Sequence, residues 1–202
     1  MKYTFVLSRE DYRMFRWVQK PYNTLEENKD LKPHSAPSNL RGMQVSADYV
    51  ESISQDATFI YRINKPDFSQ NIEPGGYKVE VDCPTRTVHM KKIAPFVSTE
   101  HVWNWDRDDY IRVPIRDIKT ILNSSSPFQT MGVTIKRVND LILIEIYEKQ
   151  KIYLKEQSVL SATQHMRRGF DLWASYLHAS PVRFVCKERK TAALMMIDGT
   201  YK

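Results

Sequence analysis

From Gly76 to Cys83 the residues alternate without a break, with Tyr77, Val79, Val81 and Cys83 on one side and Lys78, Glu80 and Asp82 on the other. Side chains of a strand point alternately to its two faces, so this period predicts a strand buried on one face and wet on the other. Pro84-Thr85 turns the chain into RTVHMKKI, and residues 76 to 93 read as a half-buried hairpin. A single wet face is typical of antiparallel sheets.

The rest of the chain fits round that hairpin. KYTFVL at the start reads as a strand, and Ser8 can cap a helix from Arg9 to about Gln19, with Glu10 and Asp11 in its first turn. Pro21 is expected to end it. Residues 20 to 42 contain three prolines and few large apolar side chains, so they predict an exposed, flexible loop. ATFIYRI (57 to 63) reads as a strand, and VWNW (102 to 105) as core edge or interface. YIRVP leads into a short helix, IRDIKTIL, stopped at Asn123. MGVTIKR and LILIEIYEK form a hairpin turning at Asn139-Asp140, and the apolar residues on both faces of 141 to 144 place that strand centrally. KIYLKE adds another strand. Met166, Phe170, Trp173 and Leu177 then fall at i, i+4, i+7 and i+11, which predicts a helix over 163 to 179. A closing hairpin pairs PVRFVCKE with AALMMIDG. No internal repeat of fixed period is present. Helices and strands are interspersed without regular βαβ spacing, so the expected fold is α+β, a mainly antiparallel sheet with about three helices packed on it. A single domain spanning 1–202 is expected, broken only by the 20–42 loop.

Catalytic patterns are thin, and an enzyme is not expected. Six glycines leave no phosphate-cradling loop, and Gly75-Gly76 after Pro74 is better read as a turn. The five histidines (34, 89, 101, 165, 178) lack ligand spacing, so neither metal nor cofactor is expected. The acidic group Asp106, Asp108 and Asp109 is interleaved with Arg107 and Arg112 and reads as a self-paired loop. Cys83 and Cys186 lie on apolar faces of the expected strands and read as small buried hydrophobes in a reducing, intracellular compartment. No apolar run approaches about 18 residues, so any membrane contact is expected to be peripheral.

Binding chemistry is better represented. The chain carries 30 Lys+Arg against 24 Asp+Glu, a net charge of +6. That balance favours an acidic partner, nucleic acid or an anionic surface, over a small-molecule substrate. One basic cluster comprises Arg167, Arg168, Arg183, Lys187, Arg189 and Lys190. A second lies on the first helix, with Arg9, Arg13, Arg16 and Lys20 beside Trp17. For the C-terminal cluster the ordinary solvated face is an equal reading, whereas on the first helix the solvated face is favoured for the charges and core contact for the aromatics.

Two family resemblances follow from these segments. The hairpin GVTIKRVNDLILIEIYEK, the helix around MRRGFDLWASYLHAS and the closing PVRFVCKERKTAALMMIDGTYK together resemble the C-terminal end of rhabdovirus matrix proteins, over residues 128 to 202. His34-Ser35-Ala36-Pro37 is similar to the P[ST]AP late-budding motif, with His34 in place of the first proline, and Lys20-Pro21-Tyr22-Asn23 is similar to PPxY without its leading proline. This resemblance implies a viral structural protein of the virion that binds RNA, bridges nucleocapsid and membrane, self-associates, and engages the host during budding. The second resemblance is to DNA sliding clamps. YIRVPIRDIKTILNSS followed by a hairpin, then a helix ending YLHASPVRFV and the strand KTAALMMI, is similar to half of a clamp domain, and IEPGGYKV to the start of a clamp strand. It implies a processivity factor on DNA, in a virus or phage. Outside both families, Trp103 and Trp105 with neighbouring basic residues would form a stacking platform for nucleic acid.

Overall fold

The computed structural model describes residues 1–23, 43–53, 59–104, 107–166, 169–176, 181–187 and 191–195. The α+β expectation holds, with antiparallel pairing throughout the described ladders. Contacts group the chain into two compact units, Met1–Trp105 and Asp106–Lys202.

The first unit begins with β1 (Lys2–Val6) and α1 (Arg9–Asn23). Then come β2 (Met43–Val45), β3 (Tyr49–Ile53), β4 (Phe59–Asn64), β5 (Gly75–Asp82) and β6 (Thr87–Ala94). A short α2 (Glu100–Trp103) follows. Spatial order is β1-β6-β5-β2-β3-β4, so β1 closes one side by pairing with a strand far along the chain. The expected hairpin is β5–β6: Val79, Val88 and Met90 are buried, while Lys78, Glu80, His89 and Lys91 face water.

Helix α1 starts where Ser8 predicts. Its hydroxyl accepts from the Asp11 amide at 3.1 Å and donates to the Asp11 carboxylate at 2.6 Å, satisfying an otherwise orphaned N–H. Pro21 does not end the helix, which runs on to Asn23. A proline there loses the bond to the carbonyl four residues back and crowds that carbonyl, and the packing of α1 on β3 and β4 offsets this cost. Lys20 to Asn23, expected to be loop, are therefore helical, and the remainder of that loop, 24–42, lies outside the described residues.

Strand β3 is buried on both faces. Ser52 donates its hydroxyl to the Val18 carbonyl of α1, and its cross-strand partner Tyr61 stacks on Trp17 with ring centroids 4.9 Å apart. Tyr77 lies on the same face through the register Ser52↔Met43↔Tyr77. The opposite face carries Glu51, Arg62 and Gln44, and the segment leading to α2 crosses it, with the Val97 amide donating to Gln44 Oε1 at 3.0 Å.

The second unit contains β7 (Tyr110–Ile115), α3 (Ile118–Asn123), β8 (Phe128–Thr130), β9 (Val133–Val138) and β10 (Leu141–Ile146). It continues with β11 (Gln150–Lys155), α4 (Glu156–Ala162), β12 (Phe170–Ser175), β13 (Val182–Cys186) and β14 (Thr191–Met195). One run of strands is ordered β14-β13-β12-β7, the other β11-β10-β9-β8. β10 is central, as its two apolar faces predict.

The helix expected over 163 to 179 is not formed. Residues 170–175 are β12, held between β7 and β13, and the helix of this region is α4, immediately before it. A strand paired on both sides and buried on both faces loses its polar alternation, and the spacing of Met166, Phe170 and Trp173 then mimics a helical stripe.

One order of elements recurs. Strand, helix and three antiparallel strands describe β1-α1-β2-β3-β4, then β7-α3-β8-β9-β10, then β11-α4-β12-β13-β14. The repetition lies in element order and not in residue period, so no sequence repeat reveals it.

A tight contact sits at one end of the second sheet. Gly132 has φ of +77°, and a Cβ there would run into the Tyr147 ring, while the Tyr147 amide donates to the Gly132 carbonyl at 2.7 Å. Gly132→Ala is expected to cost about 1–2 kcal/mol through its left-handed backbone. Chemical denaturation should show an unchanged m-value, and a neutral result would mean that the turn relaxes freely.

Candidate nucleic-acid interface

Arg9, Arg13 and Arg16 occur at i, i+4 and i+7 of α1, which places them on one side of the helix. Phe15, Val18 and Gln19 occupy the opposite side and are buried. Arg9 and Arg13 are exposed and Arg16 half-buried, so three guanidinium groups line the outer face over about two turns. Lys20 lies in the same helix. Trp17 is not part of this surface, being 1% exposed against Tyr61. The face can neutralise successive phosphates through fork-shaped donors.

The C-terminal basic group does not assemble among the described residues. Arg183 is 3% exposed, its guanidinium 4.8 Å from the centroid of the Tyr110 ring and donating to the Pro181 carbonyl at 3.1 Å. Lys187 is exposed, and Arg167, Arg168, Arg189 and Lys190 lie outside the described residues. His34, Ser35, Ala36 and Pro37 do too. The PPxY-like stretch sits in α1 instead of an extended segment. Of the paired tryptophans, Trp103 is buried and Trp105 lies outside the described residues. Cys83 is exposed at the β5–β6 turn, because β5 ends one residue earlier, whereas Cys186 is buried. A hydrogen bond between Cys83 and Tyr12 raises the pKa of that phenol.

A polar centre that the sequence did not announce lies on the other face of β3. Glu51 is fully buried, and its carboxylate accepts from Arg62 Nε at 3.0 Å, Thr99 Oγ1 at 2.6 Å and Trp103 Nε1 at 3.3 Å. Arg62 also pairs with Glu100 at 2.9 Å. Its guanidinium carbon lies 3.6 Å from the Tyr49 ring centroid and 4.5 Å from that of Trp103. Burial pushes the Glu51 pKa upward, opposed by Arg62 and the hydrogen bonds from Thr99 and Trp103. All three guanidinium nitrogens of Arg62 donate within the cluster, to Glu51, Glu100 and Thr99, and the arrangement fastens α2 to the sheet. Among the described residues no group of His, Cys, Asp and Glu could hold a metal ion, and no helix is long and apolar enough to cross a membrane.

No protein-family model and no curated protein matches the sequence. Solved structures do align with it. A putative DNA polymerase III β subunit from Eubacterium rectale is 10% identical with a TM-score of 0.46, over 98% of this chain and 65% of that one. A DNA polymerase sliding clamp from Caulobacter crescentus is 11% identical with a TM-score of 0.42, over 100% and 66%. A DnaN sliding clamp from Pseudomonas aeruginosa, bound to griselimycin, is 11% identical with a TM-score of 0.42, over 98% and 65%. The chain thus spans less than two thirds of the length of these proteins.

Two of these structures are of sliding clamps and one is of a putative polymerase III β subunit, and the expectation of a viral matrix protein acting in the virion, at the membrane and in budding is corrected. The local reason is β12. The matrix resemblance needed a helix around MRRGFDLWASYLHAS, where the chain forms a strand. The clamp resemblance drew on the same segment, as a helix ending YLHASPVRFV, and there too the chain forms strands, Phe170–Ser175 and Val182–Cys186, with its helix earlier at Glu156–Ala162.

Proposed function

We propose that this chain is a clamp-like protein that holds duplex DNA by contacts to its phosphates, self-associates, and catalyses nothing itself. The observation that carries this reading is the strand–helix–three-strand order, present three times, whose longest helix turns Arg9 and Arg13 outward. A net charge of +6 supports it, because phosphate contacts release counterions and do not depend on base sequence. The resemblance of segments between 110 and 197 to half of a clamp domain supports it too.

Gel shift with duplexes of unrelated sequence tests the reading. Binding should be equal across sequences and fall steeply between about 50 and about 200 mM salt. The double variant Arg9→Ala, Arg13→Ala should lower the log–log salt slope by about 1.8, at about 0.9 per lost phosphate contact. Sedimentation should find an oligomer. A monomer that ignores DNA at low salt would sink the proposal.

A further inference from the structure

Strand β1 ends the strand order of the first unit, and one row of its ladder carries three like charges. Lys2 lies opposite Lys91, and Lys91 opposite Lys78, all exposed. Like charges directly opposite one another on neighbouring strands are unfavourable. Lys78 finds Glu80 at 3.5 Å on its own strand, while Lys2 and Lys91 have no ion pair among the described residues. Lysine on an edge strand also discourages unwanted pairing, but that role needs Lys2 alone and leaves the other two lysines of the row unexplained.

The backbone of β1 is divided by the ladder. Leu7 donates to the Arg86 carbonyl and Lys92 to the Met1 carbonyl, each at 3.0 Å, so the odd-numbered residues form the hydrogen-bonded pairs with β6. The amides and carbonyls of Lys2, Thr4 and Val6 therefore point to the open side. On that strand the core-facing Tyr3 and Phe5 are only half-buried, and Val6 is 67% exposed. Among the described residues this edge has no further strand beside it, and it offers unpaired backbone groups, incompletely covered aromatic rings and a cation at one register position.

We propose that this edge takes up an extended segment of a partner protein, which adds a strand beside β1 with a carboxylate opposite Lys2 and apolar side chains over Tyr3 and Phe5. Strand addition of this kind draws affinity from main-chain bonds and specificity from alternate side chains. The carboxylate would extend the row Lys78–Lys91–Lys2 by one opposite charge. A polyanion fits less well, because the next rows of the same face carry Glu80 and Asp82.

The probe is a synthetic octapeptide alternating valine and threonine with one central glutamate, labelled for fluorescence anisotropy and added to the full chain. Expected is saturable binding, with slowed amide exchange at Thr4 and Val6. Thr4→Pro removes an outward N–H without touching a backbone bond to β6, and loses only the hydroxyl's exposed contact with His89, so it should keep the fold and reduce binding at least tenfold. Lys2→Glu should weaken the glutamate peptide and bind its lysine counterpart more tightly than the unaltered chain does. Equal binding by Thr4→Pro overturns the proposal. So does an edge already protected in a homo-oligomer, or a row whose lysine substitutions weaken duplex DNA while the peptide fails to bind. Loss of DNA binding by the α1 variants, with peptide binding intact, would separate this edge from the DNA face.

Discussion

Replacing Trp17 with alanine is expected to lower the unfolding free energy by about 3–5 kcal/mol. The indole is 1% exposed and stacked on Tyr61 with an interplanar angle of 21°. Phe15 and Val18 beside it are wholly buried, so nothing outside the core can collapse into the vacated space. Urea denaturation with an unchanged m-value would read out the loss, and Trp17→Phe should cost clearly less because a ring still meets Tyr61. The same residue was a candidate nucleic-acid contact by sequence, and the two roles give opposite results. A core Trp17 is not quenched by DNA, and its removal unfolds the protein more easily. A surface Trp17 would cost less than about 1 kcal/mol and quench on titration with duplex.

Removing the Glu51 carboxylate should be comparably severe. Glu51→Ala takes the buried carboxylate from the Arg62 guanidinium, whose side chain is only 14% exposed, leaves it the exposed Glu100 as its one ionic partner among the described residues, and leaves the Trp103 N–H without its acceptor. Breaking a buried pair from one side costs about 3–5 kcal/mol, whereas replacing both partners by apolar groups of similar size is often near neutral. The double variant Glu51→Met, Arg62→Met should therefore recover much of the loss. If it is no better than Glu51→Ala, the charges do not form a coupled pair. The pH dependence has a definite sign. With its folded pKa raised above the unfolded value, Glu51 contributes most below the unfolded pKa, and that contribution is lost as pH rises through the folded one. Stability of Glu51→Gln should be flatter over that window.

Much of the fold was readable because one face of several strands meets water. The β5–β6 hairpin is the clearest case, with Lys78 and Glu80 marking the wet side at every second residue. Where both faces are covered the signal disappears. In β12 the residues Phe170, Leu172 and Ala174 are buried on one face and Asp171 and Ser175 on the other, so helical spacing was the only period left to find. Helix α4 escaped for the reverse reason. Only Val159 and Ala162 of its seven residues are buried, and Lys155 gives it no side-chain cap. The arginine stripe of α1 was legible, since helical spacing alone sets it. The Glu51 centre was not, because Glu51, Arg62 and Trp103 come from separate segments that only the folded sheet brings together.

Strand β1 also bears on the order in which the first unit is built. β2, β3 and β4 close on neighbours a few residues away, and β5 meets β6 across a short turn. β1 finds its partner only after the chain has gone round, as the contact between Thr4 and His89 spans 85 residues. Contacts of such separation carry a large loop-closure cost, so β1 is expected to be laid down late and released early, with faster amide exchange than β3. The edge proposed to receive another chain would then be the edge at which this one is expected to finish folding.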